Sequence, residues 1–170
     1  MRRRCATGRC AFSGVRATSA LKTSGELSSR DTGAYLTAQF AGAVAGVVLA
    51  NLMFDLAPIT FSSKARASTG LWLSEAVATA GLLLTILLGS RHRAAAVPVL
   101  VACYITAAYW FTASTSFANP SVTLARTLTA TFAGIAPTDA GGFLLAQSLG
   151  AVVALLALRL LIGKAPRAPI

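Results

Sequence analysis

Four apolar stretches of this chain are long enough to cross a bilayer. They cover residues 34–53, 71–88, 94–113 and 142–162. A transmembrane helix needs about 20 apolar residues to span the hydrocarbon core. Hydrophobic residues make up 55% of the chain and charged residues only 12%, against roughly a quarter in soluble domains. The sequence therefore predicts an all-α integral membrane protein whose surroundings are the lipid bilayer.

The positions of the basic residues predict the orientation. Lys and Arg accumulate in the cytoplasmic flanks of membrane spans. Seven of the fifteen lie before residue 31, and others lie in the 89–93 break and at the C-terminal end. We expect a multi-pass protein of the cell membrane with both termini in the cytoplasm. Because the net charge of +10 comes largely from the N-terminal tail, no nucleic-acid partner is predicted.

The chain divides into a basic tail over 1–33, a membrane domain over 34–163 and a short C-terminal tail over 164–170. The N-terminal tail is rich in Arg, Ser and Thr and is predicted to be disordered. Its composition is also typical of an organellar transit peptide. A shifted reading frame upstream of a sound coding region would give the same composition, so three origins of the tail stay open.

The cysteines and the histidine form no metal-binding or catalytic pattern. Cys5 and Cys10 flank a basic stretch without histidines, Cys103 lies alone in an apolar stretch, and His92 lies between two arginines. No set of nucleophile, base and orienting group is present. The sequence predicts no metal, no cofactor and no enzymatic activity.

The segment after the third apolar stretch is too polar to span, yet it carries strong helix-start signals over about 119–130. Asn119 can cap a helix, and Pro120 suits the first helical position. A short helix at membrane depth is tolerated only where it is buried in protein or lines a wet cavity. We therefore predict a re-entrant half-helix beside a pore.

An internal repeat links the first and fourth apolar stretches. AQFAGAV at 38–44 and AQSLGAV at 146–152 agree at five of seven positions. Because the copies lie three spans apart, they run in opposite directions, as in inverted repeats whose functional site lies where the halves meet. The second repeat has two spans, a half-helix and a last span, whereas the first has only its last span. Two spans and one half-helix are thus predicted to be missing.

An ordered set of motifs resembles the major intrinsic protein family, the aquaporins and glycerol facilitators. FANPSVTLART at 117–127 is similar to the second Asn-Pro-Ala box, with Ser121 in place of Ala. Glu75 early in its span, ITAAYWF before the box and AQxxGA after it also match in order. The resemblance covers about 34–163 and implies an N-terminally truncated member with the C-terminal part of a six-helix, tetrameric, inverted-repeat fold.

The same resemblance implies how solutes would pass. Asn119 would donate its side-chain amide to a single file of solute, and the half-helix N-terminus would exclude cations. The family arginine that follows the box is replaced by Val122, and the other constriction positions fall on Ser116 and Ala107, both small. Arg126 follows one helical turn after Val122. Such an opening favours glycerol-like polyols or neutral arsenic hydroxides.

Glu75 and three glycines are predicted to support the structure. An acid within a span is a functional candidate by default, and the resemblance implies that Glu75 accepts hydrogen bonds from the re-entrant backbone. Gly42 and Gly46 form a GxxxG pair that lets helices approach closely, and Gly150 is the repeat counterpart of Gly42. Core packing is the first interpretation of the pair, and tetramer contact is the second.

Two functions follow from these observations. One is a passive channel for water or small neutral solutes, incomplete because the chain has one Asn box where the family has two. The alternative is a truncated, non-conducting membrane protein or an assembly partner of a full-length channel.

Overall fold

The computed structural model describes residues 29–162, and these are helical apart from connecting loops. Four helical segments are long and apolar enough to cross a membrane, which confirms the predicted all-α membrane fold. The helices are α1 (Ser29–Met53), α2 (Thr69–His92), α3 (Val97–Phe111), α4 (Pro120–Ala125) and α5 (Ala140–Ile162), with 3₁₀ turns at Ala94–Ala96 and Arg126–Leu128.

The helix ends differ from the predicted spans by a few residues. α1 begins at Ser29 rather than at residue 34, because a helix can start on polar residues and Asp31 suits its first turn. α2 continues to His92 and so includes most of the polar break. Residues 1–28, which hold most of the predicted disordered tail, and the C-terminal tail lie outside the described residues.

α2 is the centre of the bundle and packs against α5 and α3. A side chain added at Gly150 of α5 would overlap the carbonyl oxygen of Ala76 on α2, so these two helices cross at close range. On the other side, the Tyr104 hydroxyl of α3 donates to the carbonyl oxygen of Ala78 at 3.0 Å. The buried apolar side chains of this core are Ala78, Leu82, Leu83, Ile86, Val101, Ala118 and Ala154.

α1 is covered far less than α2, and it contacts the described residues chiefly through α4. Nothing lies within 4 Å of the position that a side chain would take at Gly42 or Gly46. Within residues 29–162 the GxxxG pair therefore makes no close helix contact of the kind that its pattern predicts.

The loops that follow α1, α3 and α4 meet at one end of the bundle, which we call the loop end. The backbone N–H groups of Thr60 and Ser62 donate to the carbonyl oxygens of Leu128 and Thr127 at 3.1 and 2.9 Å. In the same region the N–H of Ala136 donates to the carbonyl oxygen of Lys64 at 2.8 Å. These bonds fix the first loop against the segment that leaves α4.

Candidate pore segment

Residues 112–128 turn back into the helical layer and form the re-entrant segment. Its helix, α4, begins at Asn119, whose Oδ1 accepts a hydrogen bond from the N–H of Ser121 at 3.1 Å. Pro120 occupies the first helical position. The Asn119 Nδ2 group donates to no atom of residues 29–162, so the cap leaves its two N–H donors unused within that range.

The turn before α4 has an unusual backbone. Thr115, Ser116 and Ala118 have φ angles of 61°, 46° and 49°, a region that costs about 1–2 kcal/mol for a residue with a side chain. Such strain is kept only where the surroundings hold the backbone in place. Here the turn aims the N–H groups of Phe117 and Ala118 at the carboxylate of Glu75.

Glu75 holds the re-entrant segment between α2 and α5. Its carboxylate is completely buried and accepts hydrogen bonds from the N–H groups of Phe117, at 3.2 Å, and of Ala118. Gln147 of α5 donates its Nε2 to Glu75 at 2.9 Å and to the Thr123 hydroxyl of α4 at 2.7 Å. Both carboxylate oxygens of Glu75 therefore accept hydrogen bonds, and all three donors come from other elements of the fold.

A groove with a volume of about 560 Å³ separates α1 from the re-entrant segment. Val122 and Arg126 line it from one side, and Gly46 and Asn51 line it from the other. Asn119, the N-cap that precedes α4, is not among the groove-lining residues. Most of the lining is apolar, and its polar members are Asn51, Arg126, Thr129 and Thr131.

Ser116 and Ala107 do not line this groove. Ser116 is buried, and its hydroxyl has no partner within residues 29–162. Ala107 is exposed on the surface of α3. Of the three residues placed at the constriction by resemblance, only Val122 lines this groove, together with Arg126, which follows it by one helical turn.

Two arginines lie against the buried ring of Phe117. The guanidinium carbon of Arg126 is 4.2 Å from the ring centroid, and that of Arg66 is 5.2 Å away. Such contacts are favourable because the ring face is electron-rich. Phe117 in turn packs against Phe143 of α5, with ring centroids 5.0 Å apart. The ring therefore fixes both cations relative to the bundle.

The two arginines differ in how many of their donors are used. Arg66 donates to the carbonyl oxygens of Gly134, Phe132 and Ser114 at 2.8, 2.8 and 3.1 Å. Burial lowers the pKa of Arg66, and the carboxylate of Glu75 opposes this shift. Arg126 makes one side-chain hydrogen bond in the described chain, a long one of 3.5 Å to the Thr115 hydroxyl.

Sequence reasoning did not single out Asn51, Arg66 or Gln147 as site residues. Asn51 is buried and links α1 to the loop end through the carbonyl oxygens of Pro58 and Leu128. A polar residue near the end of an apolar span is the signal that could have found it. Arg66 had no such signal, because its partners come from two other loops.

The chain is 58% identical over 142 residues to "Aquaglyceroporin AqpS" of Rhizobium meliloti (strain 1021). It belongs to the major intrinsic protein family. The aligned region covers 84% of this chain but 61% of that relative, so the chain spans about three-fifths of the relative's length. No protein-family model and no solved structure matches it.

Membership in the major intrinsic protein family confirms the resemblance that the Asn119 box and its neighbouring motifs indicated. Together with the four apolar helices, it identifies the chain as a multi-pass membrane protein. It also agrees with the prediction that the chain is not an enzyme, because this family consists of channels.

Proposed function

We propose that the chain is a passive channel subunit for water or small neutral solutes, and that solutes move along the groove between α1 and α4. One observation carries this proposal. Asn119 caps α4 with its oxygen, and its Nδ2 donates to no atom of residues 29–162, while Val122, three residues further on, lines the groove. An unused donor at the edge of a mostly apolar groove can replace water of hydration around a passing solute.

The proposed solutes are glycerol-like polyols and neutral arsenic hydroxides. The name of the R. meliloti relative supports the polyols. Val122 supports them as well, because an apolar side chain in place of the family arginine widens the passage and makes it less polar. Pro120 and Ser121 set the start of α4, whereas Ser116 and Ala107 stay constriction residues by family resemblance alone, since neither lines the groove. Tetramer assembly and a cell-membrane location with both termini in the cytoplasm belong to the same proposal.

Stopped-flow light scattering on proteoliposomes of the 170-residue chain tests the channel directly. Water, glycerol and arsenite are compared with empty liposomes of the same lipid. We expect permeability above the empty vesicles for water and at least one of the two solutes. Values equal to empty vesicles for all three would contradict conduction by this chain.

Substituting Asn119 tests whether the box lies on the solute path. In Asn119→Asp the side chain still caps α4, but a negative charge replaces the free N–H groups, so we expect solute flux to fall or cations to be admitted. Asn119→Ser is the matched control for folding, because Ser also caps helices and has no amide. We expect it to fold normally and to conduct less. Rates and ion exclusion equal to wild type in both variants would show that Asn119 lies off the path.

A non-conducting assembly partner is the second candidate function. The observation that favours it is the uncovered surface of α1, where nothing lies against Gly42 or Gly46. A GxxxG face in a membrane commonly receives another helix. Flux that rises only when the chain is reconstituted with a full-length family member would favour this candidate over the channel.

A further inference from the structure

We propose that the end of the bundle opposite the loop end binds the headgroup of an anionic lipid through Arg91 and Arg93. This end, which we call the basic end, holds the start of α1, the end of α2, the start of α3 and the end of α5. The proposal goes beyond the channel function and does not depend on whether the groove conducts.

The basic end carries an excess of positive charge over the residues that the structure describes. Its cations are Arg30, Arg91, Arg93 and Arg159. Between residues 29 and 162, Asp31 is the only acid at this end, and it follows Arg30 directly in the sequence. The other three cations therefore have no acid at this end to neutralise them, which favours an anionic partner.

The cations of the two ends differ in whether their donors are used. At the loop end, Arg66 donates to three carbonyl oxygens, and Lys64 donates to that of Phe132 at 2.8 Å. At the basic end, the side chains of Arg91 and Arg93 are exposed and make no hydrogen bond or ion pair with residues 29–162. Each guanidinium has five N–H groups, so both offer their donors to a ligand from outside the described chain.

The turn between α2 and α3 holds these two side chains on an ordered backbone. The N–H of Arg93 donates to the carbonyl oxygen of Gly89 at 2.8 Å, and the N–H of Ala96 donates to that of Arg93 at 2.9 Å. A side chain added at Gly89 would lie 3.1 Å from Leu100 and 3.2 Å from Val97, so the start of α3 packs closely on the end of α2. A ligand bound here has no loop to order, which lowers the entropic cost of binding.

The depth of this turn matches a lipid headgroup. α2 has 24 residues and is about 36 Å long, whereas the hydrocarbon core of a bilayer is about 30 Å thick. The last turn of α2, with Arg91, therefore reaches the phosphate layer. Val99 and Leu100, at the start of α3, are 65% and 40% exposed and provide apolar surface for acyl chains. Basic residues beside apolar surface at a helix junction are typical of sites for acidic headgroups.

Lipid-dependent stability of the full chain tests the proposal without requiring flux. The purified chain in detergent is titrated with phosphatidylglycerol or phosphatidylcholine, and its melting temperature and the lipid retained in native mass spectrometry are measured. Each arginine near an anionic surface strengthens binding about fivefold, so we expect phosphatidylglycerol to bind about 25-fold more tightly than phosphatidylcholine. Equal binding of the two lipids would overturn the proposal.

Salt and free phosphate distinguish a headgroup site from other causes of stabilisation. At 1 M NaCl the Debye length falls to about 3 Å, so we expect the preference for phosphatidylglycerol to disappear. Inorganic phosphate carries the charge without acyl chains, and we expect it to leave the melting temperature unchanged. Stabilisation by inorganic phosphate as large as that by phosphatidylglycerol, or a preference that persists at 1 M NaCl, would contradict a lipid headgroup site.

Single charge removals locate the site. We expect Arg91→Gln and Arg93→Gln each to weaken phosphatidylglycerol binding about fivefold and Arg93→Lys to keep most of it. Both glutamine variants should melt like the wild type in phosphatidylcholine, because the two side chains have no partner within residues 29–162. Lys64→Gln is the matched control, since it removes the same charge from an exposed residue of the loop end. Equal weakening in Lys64→Gln would mean that net charge alone sets the preference, against the proposal.

Hydrogen exchange of the wild-type chain locates the lipid without any substitution. We expect phosphatidylglycerol to slow exchange at residues 89–96 about threefold at twice its dissociation constant, by mass action, and to leave residues 60–66 unchanged. Slower exchange at residues 60–66 alone would place the lipid at the loop end and overturn the proposal.

Discussion

The two sides of α4 differ in how tightly they are packed and in how many of their polar groups are hydrogen-bonded. On the side of α2 and α5, Glu75 and Gln147 bind the re-entrant segment with three hydrogen bonds and each other with a fourth, and Gly150 lets the helices touch. On the side of α1, a groove of about 560 Å³ remains, and Arg126 keeps unused donors. A short helix can therefore present one face to a solute because its other face is held rigidly.

The largest expected loss of stability is for Glu75→Gln, on the side of α4 that packs against α2 and α5. Glutamine keeps one acceptor but turns an NH₂ group toward backbone N–H donors, so we expect a loss of about 3 kcal/mol of stability. Thermal unfolding in detergent measures it. Asp55→Asn is the control, because it makes the same charge change at an exposed loop residue. Equal melting temperatures for the two variants would mean that Glu75 does not hold the segment.

A pair of glycine substitutions compares the two sides directly. Gly150→Ala places a methyl group into the Ala76 carbonyl and should cost about 2 kcal/mol, whereas Gly46→Ala meets open space and should change stability by less than about 0.5 kcal/mol. Both are measured by the same unfolding assay. A Gly46→Ala loss as large as that of Gly150→Ala would show that α1 is packed as tightly as α5.

Among the variants expected to lose stability, Asn51→Ala, at the junction of α1 with the loop end, has the smallest effect. The change removes bonds to the carbonyl oxygens of Pro58 and Leu128 and an acceptor for the Thr129 hydroxyl. We expect a loss of about 1 kcal/mol of folding stability. The loss stays modest because water can reach part of this junction and bind the groups left without a partner. Hydrogen exchange should become faster at residues 127–131 and stay unchanged in α2. Faster exchange throughout α2 would contradict a local role.

The sequence predicts the spans and α4 because each depends on local signals. Apolar runs of span length place α2, α3 and α5, and Asn119 with Pro120 places the start of α4. The groove depends on how α1 lies beside α4, which no local pattern encodes. The three carbonyl partners of Arg66 come from loops far away in the chain, so sequence spacing gives no hint of them.

The glycines show why motif interpretation has a limit. The GxxxG pair of Gly42 and Gly46 predicts close packing, but close helix contacts in the described residues lie at Gly81, Gly142 and Gly150 instead. A GxxxG pattern indicates that a helix is able to approach another one. Whether a second helix packs against that face depends on the tertiary arrangement.

The anchoring of α4 by Gln147 also fixes an order of events during synthesis. Glu75 and α3 precede the re-entrant segment in the chain, but Gln147 follows it, in the last span. When residues 112–128 leave the ribosome, only part of their binding site exists. The anchoring of the re-entrant segment is therefore completed only after α5 has been synthesised.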